Sequence, residues 1–183
     1  MSTFFRLLDD VHIPDRWHLG EVVSSGCSID LWHGKAIEGG HALNVEVDRL
    51  GRPLDFCFSS FAAPVARLEL ANAIAQIAGN DLQCLPAIIG GDKGYRLLNS
   101  VRIVTCMNDN ESEFTKWTQK DHRPELAGQY RMVTKLQVDP KRIPADAHFF
   151  RIEGWRIALI VSETVRSAME KARCYGAVFQ AVT

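Results

Sequence analysis

The sequence predicts a single α+β domain with a mainly antiparallel sheet and about two principal helices. Three observations support this fold class: many short β-type runs, two segments with apolar residues at helical spacing, and no linker, repeat or low-complexity tract. Strand runs that do not alternate regularly with helices favour antiparallel pairing. A chain of 183 residues, 46% of them hydrophobic, can bury its own core, so we expect residues 1–183 to form one domain.

Three β-type runs precede the first predicted helix. Residues 4–8 (FFRLL) predict a short strand, and residues 43–47 (LNVEV) alternate apolar and polar side chains as half-buried strands do. A turn at residues 51–53 (GRP) separates this strand from another β-prone run, DFCFSSF. The segment HIPDRWHLGEV, between the first two runs, is expected to be a loop.

Two segments carry apolar residues at the spacing of an amphipathic helix. The first stripe consists of Leu70, Ala73, Ile74, Ile77 and Ala78. Gly79 and Asn80 follow it and tolerate the left-handed backbone that ends a helix. The second stripe consists of Val165, Ala168, Met169 and Ala172. Gly176 is expected to be the glycine just beyond the end of this helix.

The second half of the chain is predicted to hold most of the strands. LQCLPAII and YRLLNSVRIVTC flank the glycine-rich GGDKG, a pattern typical of a β-hairpin. GQYRMVTKLQVD predicts a further strand, and KRIPADAH after it is expected to be a loop. HFFRIEG and RIALIV predict two strands around Gly154 and Trp155, and AVFQAV predicts the last strand.

Composition limits the classes of function. The chain has 21 basic and 22 acidic residues and a formal net charge of -1, whereas a general nucleic-acid binder usually has a large positive excess. The five cysteines are not closely spaced and form no CxxC pair, so a zinc ribbon or a thioredoxin-type site is not predicted. They are expected to be reduced thiols, and they are Cys27, Cys57, Cys84, Cys106 and Cys174.

Neither a leader peptide nor a membrane segment is predicted. Asp9 and Asp10 interrupt the first apolar stretch too early for a signal peptide. No uninterrupted apolar run approaches the length that spans a bilayer. We therefore expect a cytoplasmic protein.

Ser162 lies where a β-type run changes to a helical pattern, which raises the question of a catalytic nucleophile. A hydrolase elbow has the pattern GxSxG, but here the surrounding sequence is IVSET, without glycine and with a bulky Val161. A serine followed by Glu163 in the first turn is typical of a helix N-cap. We therefore predict a cap rather than a nucleophile.

No metal, cofactor or catalytic site is predicted. None of the six histidines forms an HxxxH or HExxH pair, and they are His12, His18, His33, His41, His122 and His148. GGDKG lacks the spacing of a phosphate-binding loop, and no helical pattern follows it.

An acidic segment, NDNESE, provides the candidate site for a partner. Its carboxylates are Asp109, Glu111 and Glu113, and Trp117 follows a few residues later. Alternating acids in a polar loop are most often simply solvated, but such a loop is also suited to a basic protein partner. Tryptophan is enriched at binding hot spots, although Trp117 is equally suited to the core. The other tryptophans are expected to be core or loop-pinning residues, and they are Trp17, Trp32 and Trp155.

Several blocks of the chain, taken together and in order, resemble one bacterial family. They are FFRLLDDVHIPDRWHLG, RPLDFCFSSFAAPV, LQCLPAII leading to YRLLNSVRIVTCMND, and GWRIALIVSETVRSAMEKARCYGAVFQAV. They are similar to the immunity proteins of polymorphic toxins grouped as the immunity protein eleven family, formerly a domain of unknown function. The resemblance covers nearly the whole chain, and YRLLN and LIVSE carry most of it.

The resemblance implies a protein that binds and neutralises a cognate toxin and has no catalytic residues. Nucleases are prominent among the toxins linked to such families, and a basic nuclease would be attracted to an acidic loop. The net charge of -1 is small for a nuclease inhibitor, so the charge would have to be segregated on the surface, or the toxin would not be a nuclease.

Two other hypotheses remain open at this point. One is a small hydrolase that uses loop groups such as Asp30, His33 and His41, which would then have to converge in one cleft. The other is a homo-oligomeric adaptor domain whose apolar strand edges pair with each other.

Overall fold

Two sheets and two helices form most of the described chain. The structure is a computed structural model that describes residues 3–24, 27–29, 31–39 and 41–183, with the backbone alone at residues 27 and 28. The larger sheet has seven strands in the spatial order β3-β2-β4-β7-β8-β6-β5. In chain order these strands are β2 (His18–Ser24), β3 (Cys27–Ser28), β4 (Leu43–Arg49), β5 (Phe56–Ser59), β6 (Ala63–Arg67), β7 (Leu82–Ile89) and β8 (Asp92–Ser100).

The smaller sheet has five strands, in the order β14-β1-β13-β12-β9. They are β1 (Phe4–Asp9), β9 (Ile103–Val104), β12 (Phe149–Ile152), β13 (Trp155–Ser162) and β14 (Ala177–Ala181). Most neighbours in the two sheets are antiparallel, as predicted, and the parallel pairs are β4 with β7 and β9 with β12. The N-terminal strand β1 lies between the two C-terminal strands β13 and β14.

A separate hairpin is formed by β10 (Glu113–Lys116) and β11 (Tyr130–Lys135). The strand bounds confirm the predictions for residues 4–8 and 43–47. They also confirm the predicted strands that correspond to β5 and to β11 to β14. The β7–β8 hairpin is also confirmed, with Gly90 and Gly91 both at positive φ in its turn.

The prediction of a loop over HIPDRWHLGEV is wrong at its C-terminal end, because residues 18–24 form β2. Its ladder with β4 contains register shifts on either side of Leu19. A shift of this kind interrupts the period of two by which a strand is recognised in sequence.

Helix α1 (Leu68–Ala78) follows β6 directly and ends at Gly79, whose φ is +52°. Its core-facing residues are Leu70, Ala71, Ile74 and Ala78. The predicted stripe is therefore confirmed in its centre, while Ala73 and Ile77, at its margin, are half-buried.

Helix α2 (Glu163–Lys171) begins where predicted, but the interpretation of Gly176 as its terminating glycine is wrong. Arg173, with φ +52°, occupies the left-handed position. The amide of Arg173 donates to Glu170 O (2.9 Å) and that of Cys174 to Met169 O (3.0 Å), the two bonds of a Schellman motif. Gly176 lies farther on, at φ +113°, where a Cβ would be 2.3 Å from the carbonyl oxygen of Phe56.

The central core lies where both helices pack between the two sheets. It includes Phe5, Phe56, Ile74, Leu98, Phe149, Leu159 and Met169. A second cluster covers the other face of the seven-stranded sheet and includes Trp17, and a third covers the other face of the five-stranded sheet and has Trp155 at its margin. The indole N–H of Trp32 donates to the carbonyl of Phe61, so Trp32 pins a loop.

The described cysteine thiols are buried or half-buried and are not in disulfides. Burial raises the pKa of Cys57, Cys106 and Cys174 to about 12, which makes these thiols weak nucleophiles. None of the helices in the described ranges is long and apolar enough to cross a membrane.

Candidate partner-binding site

The acidic loop is an ordered turn on the surface rather than an extended tail. The amide of Asn108 donates to Gln137 O (2.9 Å), and the amide of Ser112 returns to Asn108 O (2.9 Å). The Asn108 side chain accepts from the amide of Asn110 (3.2 Å). These bonds close the turn and leave Asp109 and Glu111 exposed to solvent.

Asp109 is the most firmly positioned of the predicted carboxylates. It accepts a hydrogen bond from the Tyr130 hydroxyl, and Lys116 Nζ lies 3.2 Å from its second oxygen. The Tyr130 bond and the Lys116 ammonium hold the pKa of this carboxyl below its usual range. Burial and the neighbouring carboxylate raise the pKa of Tyr130 to about 12, so Tyr130 stays a donor. The Asp109 carboxylate is therefore ionised, and its orientation is fixed by these two contacts.

Beside this loop lies an open cleft of about 390 Å³. Its walls carry the carboxylates of Asp109, Asp139 and Glu153, together with Tyr130 and the guanidinium of Arg142. Arg142 donates to the carbonyl of Met107 (3.1 Å), which places its charge at the wall. The cleft wall thus carries three carboxylates and one guanidinium, and two of the carboxylates, Asp109 and Glu153, are paired with Lys116 and Arg156.

Glu111 and Glu113 border a neighbouring depression of about 560 Å³ with Lys135 and Gln137. Glu113 begins β10 and faces Lys135 in the β10–β11 ladder, so its charge is partly offset by its cross-strand neighbour. Glu111 also borders a third depression with Lys141 and Thr183. The acidic loop thus connects three shallow concavities on one face.

Trp117 directly follows Lys116, whose ammonium contacts Asp109 of the acidic loop. It lies at the end of β10 away from Glu113, roughly 13 Å along the strand at the usual rise per residue. The ring is half-buried, lies edge-on to His122 with centroids 5.2 Å apart, and is covered by Arg131 at 4.7 Å. Asp109, Glu111 and Glu113 therefore share one surface, and Trp117 extends it along the hairpin.

The prediction of Ser162 as a helix cap is confirmed. Its hydroxyl accepts from the amide of Val165 (3.4 Å), and the side chain is almost fully buried. His148 Nδ1 is 2.9 Å from the same oxygen, but Asp81 accepts from the backbone amide of His148 (3.0 Å) rather than from its ring. A Ser-His-Asp triad requires the carboxylate to orient the imidazole ring, and Asp81 does not do so here.

Only part of the catalytic group of the hydrolase hypothesis lies within the described residues. His33 and His41 are exposed, and Asp30 lies outside the described residues. Within the described ranges, no three His, Cys, Asp or Glu side chains are placed to hold a metal ion.

Sequence reasoning missed four side chains of the cleft: Tyr130, Asp139, Arg142 and Glu153. Two of them had a local signal. Asp139 precedes Pro140 and caps a 3-10 turn by accepting from the Lys141 amide (3.0 Å), and Glu153 precedes the turn glycine between β12 and β13. Tyr130 and Arg142 had none, because only tertiary pairing brings them to the acidic loop.

Comparison with known proteins assigns the family. Residues 90–183, slightly more than half of the chain, match the immunity protein family Imm11. A search of curated proteins gives no match. The matched region contains the acidic loop, the β10–β11 hairpin and all the side chains of the cleft named above. The chain belongs to the Imm11 family of immunity proteins.

Proposed function

We propose that this protein binds a cognate bacterial polymorphic toxin in the cytoplasm, in a stoichiometric complex, and blocks its activity without any catalysis of its own. Membership of an immunity protein family supports the role. The observation that carries the choice of surface is the exposed acidic loop beside the cleft, and both lie within the family-matched region.

The energetics of inhibition require binding alone. To leave little free toxin, the complex needs a dissociation constant in the nanomolar range, or about -12 kcal/mol. An interface of ordinary size with a few well-placed anchors reaches this affinity. A covalent or catalytic step adds nothing to such a role.

An exposed acidic loop suits a basic toxin, and we propose a nuclease. The substrate-binding face of a nuclease is positive because it contacts phosphates. The carboxylates Asp109, Glu111 and Glu113 would attract that face and raise the association rate. Asp109 is already ionised and oriented by Tyr130 in the free protein, so its side chain loses little conformational entropy on binding.

We also propose that the whole chain acts as one immunity domain. The central core takes side chains from β1 and β5 to β8 as well as from β12, β13 and α2. The N-terminal half would then support the C-terminal half that carries the acidic face.

The test is calorimetry with the toxin domain encoded beside this gene, with toxin activity followed in parallel. We expect a tight one-to-one complex and loss of activity. A folded protein and toxin that do not bind would reject the function.

The surface is tested by the triple change Asp109→Lys, Glu111→Lys and Glu113→Lys. A matched control, Glu38→Lys, Glu46→Lys and Asp48→Lys, makes the same change in net charge at exposed positions outside the acidic face. We expect the first variant alone to lower the association rate by about tenfold or more at low salt, with a smaller effect at high salt. Equal effects of the two variants, or none, would reject this face as the contact surface.

The proposed aromatic anchor is tested separately with Trp117→Ala. As a hot spot, Trp117 should contribute about 2 kcal/mol or more to toxin affinity. An unchanged dissociation constant would show that its contacts with His122 and Arg131 are its whole role.

A further inference from the structure

The five-stranded sheet has one long edge that nothing in the described chain covers. β14 ends the strand order, and β1 is the strand that pairs with it. At the two ends of this ladder, the Val182 amide donates to Phe4 O (3.1 Å) and the Asp10 amide to Gly176 O (2.8 Å). Even-numbered residues of β14 therefore bond to β1, and the backbone groups of residues 177, 179 and 181 point away from the sheet.

Those outward groups are largely unused. Among described residues, no hydrogen bond uses the backbone N–H or C=O of Phe179 or Ala181 on that side. The amide of Ala177 is directed at the Cys174 sulfur. The carbonyl oxygen of Ala177 remains available to a partner strand.

In the described chain, the other edges of the two large sheets are short or blocked, and the β10–β11 hairpin carries charged residues on both strands and has an interrupted ladder. β3 and β9 have two residues each. The free side of β5 is used, because Tyr175 O accepts the amides of Asp55 and Phe56, and Asp9 accepts that of Phe58.

β14 also lacks the features that protect exposed edges from pairing. Its sequence, AVFQA, contains no charge and no proline. The β1–β14 register runs without a shift, whereas the β2–β4, β7–β8 and β12–β13 ladders are each interrupted. Lysine, proline and bulges are the usual means by which an edge strand avoids a partner strand.

We propose that β14 pairs with β14 of a second copy of this chain, antiparallel and about a two-fold axis at Phe179. The strand is nearly symmetric about this residue, with Ala177 and Ala181 at equal distances from it. In this register the outward groups meet in about four to six hydrogen bonds. Phe179 lies beside Phe179 of the second copy, and Val178 lies opposite Gln180.

Side-chain chemistry favours a second copy over the toxin at this edge. The strand itself carries no charge that would attract a basic partner, while Thr183, just beyond its end, borders the depression next to Glu111. Aromatic pairs facing each other across strands are stabilising, and Phe179 already lies edge-on to Phe5, with ring centroids 6.5 Å apart. The proposed dimer follows from the edge of β14 and does not require the proposed toxin binding.

The experiment is the solution mass of the full chain by sedimentation over a range of concentrations. We expect a mass approaching twice 20.5 kDa at high concentration. The variant Val178→Glu with Gln180→Glu places like charges opposite each other across the axis, and should raise the dissociation constant by about tenfold or more. The matched variant Val178→Lys with Gln180→Glu places opposite charges there and should remain dimeric.

Several outcomes would overturn the proposal. A monomeric wild type at high concentration would reject the dimer, and equal dissociation of the two variants would reject this register. Hydrogen exchange of the wild type gives a second measurement that needs no variant. The amides of Phe179 and Ala181 should become protected as concentration rises, and protection that arises only when toxin is added would show the toxin, not a second copy, at this edge.

Discussion

At the scale of single residues, polar groups and glycines decide how elements are joined. Ser162 ends β13 and caps α2 with one oxygen, which also bonds to His148. Gly176 lets the chain pass close to Phe56 before β14. The role of Ser162 follows from local sequence, but that of Gly176 depends on a residue 120 positions earlier.

Ser162→Ala should lower the free energy of unfolding by roughly 1 kcal/mol, since it removes an N-cap. Urea unfolding followed by circular dichroism measures this change. Ser167→Ala, at an exposed position on the same helix, is the control and should have a small effect. Equal values for the two variants would show that the cap contributes nothing.

Gly176→Ala should be more destabilising than an ordinary change at a glycine with positive φ. The new Cβ would lie 2.3 Å from Phe56 O, so backbone must move in addition to the strain at φ +113°. Gly128→Ala is the comparison, because Gly128 has φ +89° but no atom within 4 Å of the added carbon. We expect a loss of about 1 kcal/mol for Gly128→Ala and at least twice that for Gly176→Ala. Thermal unfolding that ranks them in reverse would contradict the close approach.

At the scale of elements, the cleft is assembled by contacts between segments far apart in the chain. The acidic loop, the β10–β11 hairpin and the turn at Asp139 meet through Asn108, Tyr130 and Arg142. Arg151 joins larger units in a similar way: fully buried, it donates to Ala62 O (2.9 Å) between β5 and β6, and to Arg156 O (2.7 Å) in β13. The strand pattern of the sequence contains no sign of these connections.

Tyr130→Phe should raise the pKa of Asp109 toward its ordinary value, because the Tyr130 bond is the largest cause of its lowering. Since the folded-state pKa is lowered, the contribution of Asp109 to stability is present above the unfolded pKa and is lost as pH falls through the folded one. The side chain is 46% exposed, so this contribution is small. An NMR titration of the Asp109 carboxyl is the measurement, with Tyr175→Phe as control. An unchanged pKa in Tyr130→Phe would contradict the bond.

At the scale of the whole molecule, the two halves of the chain complete each other. β1 lies in the interior of the five-stranded sheet, between β13 and β14, although more than 140 residues separate them in sequence. The family-matched region, 90–183, therefore lacks a strand of its own sheet and one wall of the central core. We therefore expect the folding unit to extend beyond the matched region.

A fragment of residues 90–183 should not fold cooperatively by itself. It would leave the edges of β13 and β14 open and the apolar face of α2 without α1. We expect broad, low-amplitude thermal unfolding for the fragment, and recovery of a cooperative transition when residues 1–89 are co-expressed with it. A fragment that unfolds as sharply as the full chain would reject the single-domain proposal.

Local sequence patterns by themselves determined the fold class, most strands, both helices, the Ser162 cap and the exposure of the acidic loop. Each depends on neighbours within a few residues: apolar periodicity, turn glycines and capping side chains. Only the tertiary structure decided that Asp109 meets Tyr130, that Trp117 lies at the far end of a hairpin, and that β1 is inserted between the last two strands. These features depend on contacts between distant segments, which burial of the shared core selects and which no local spacing encodes.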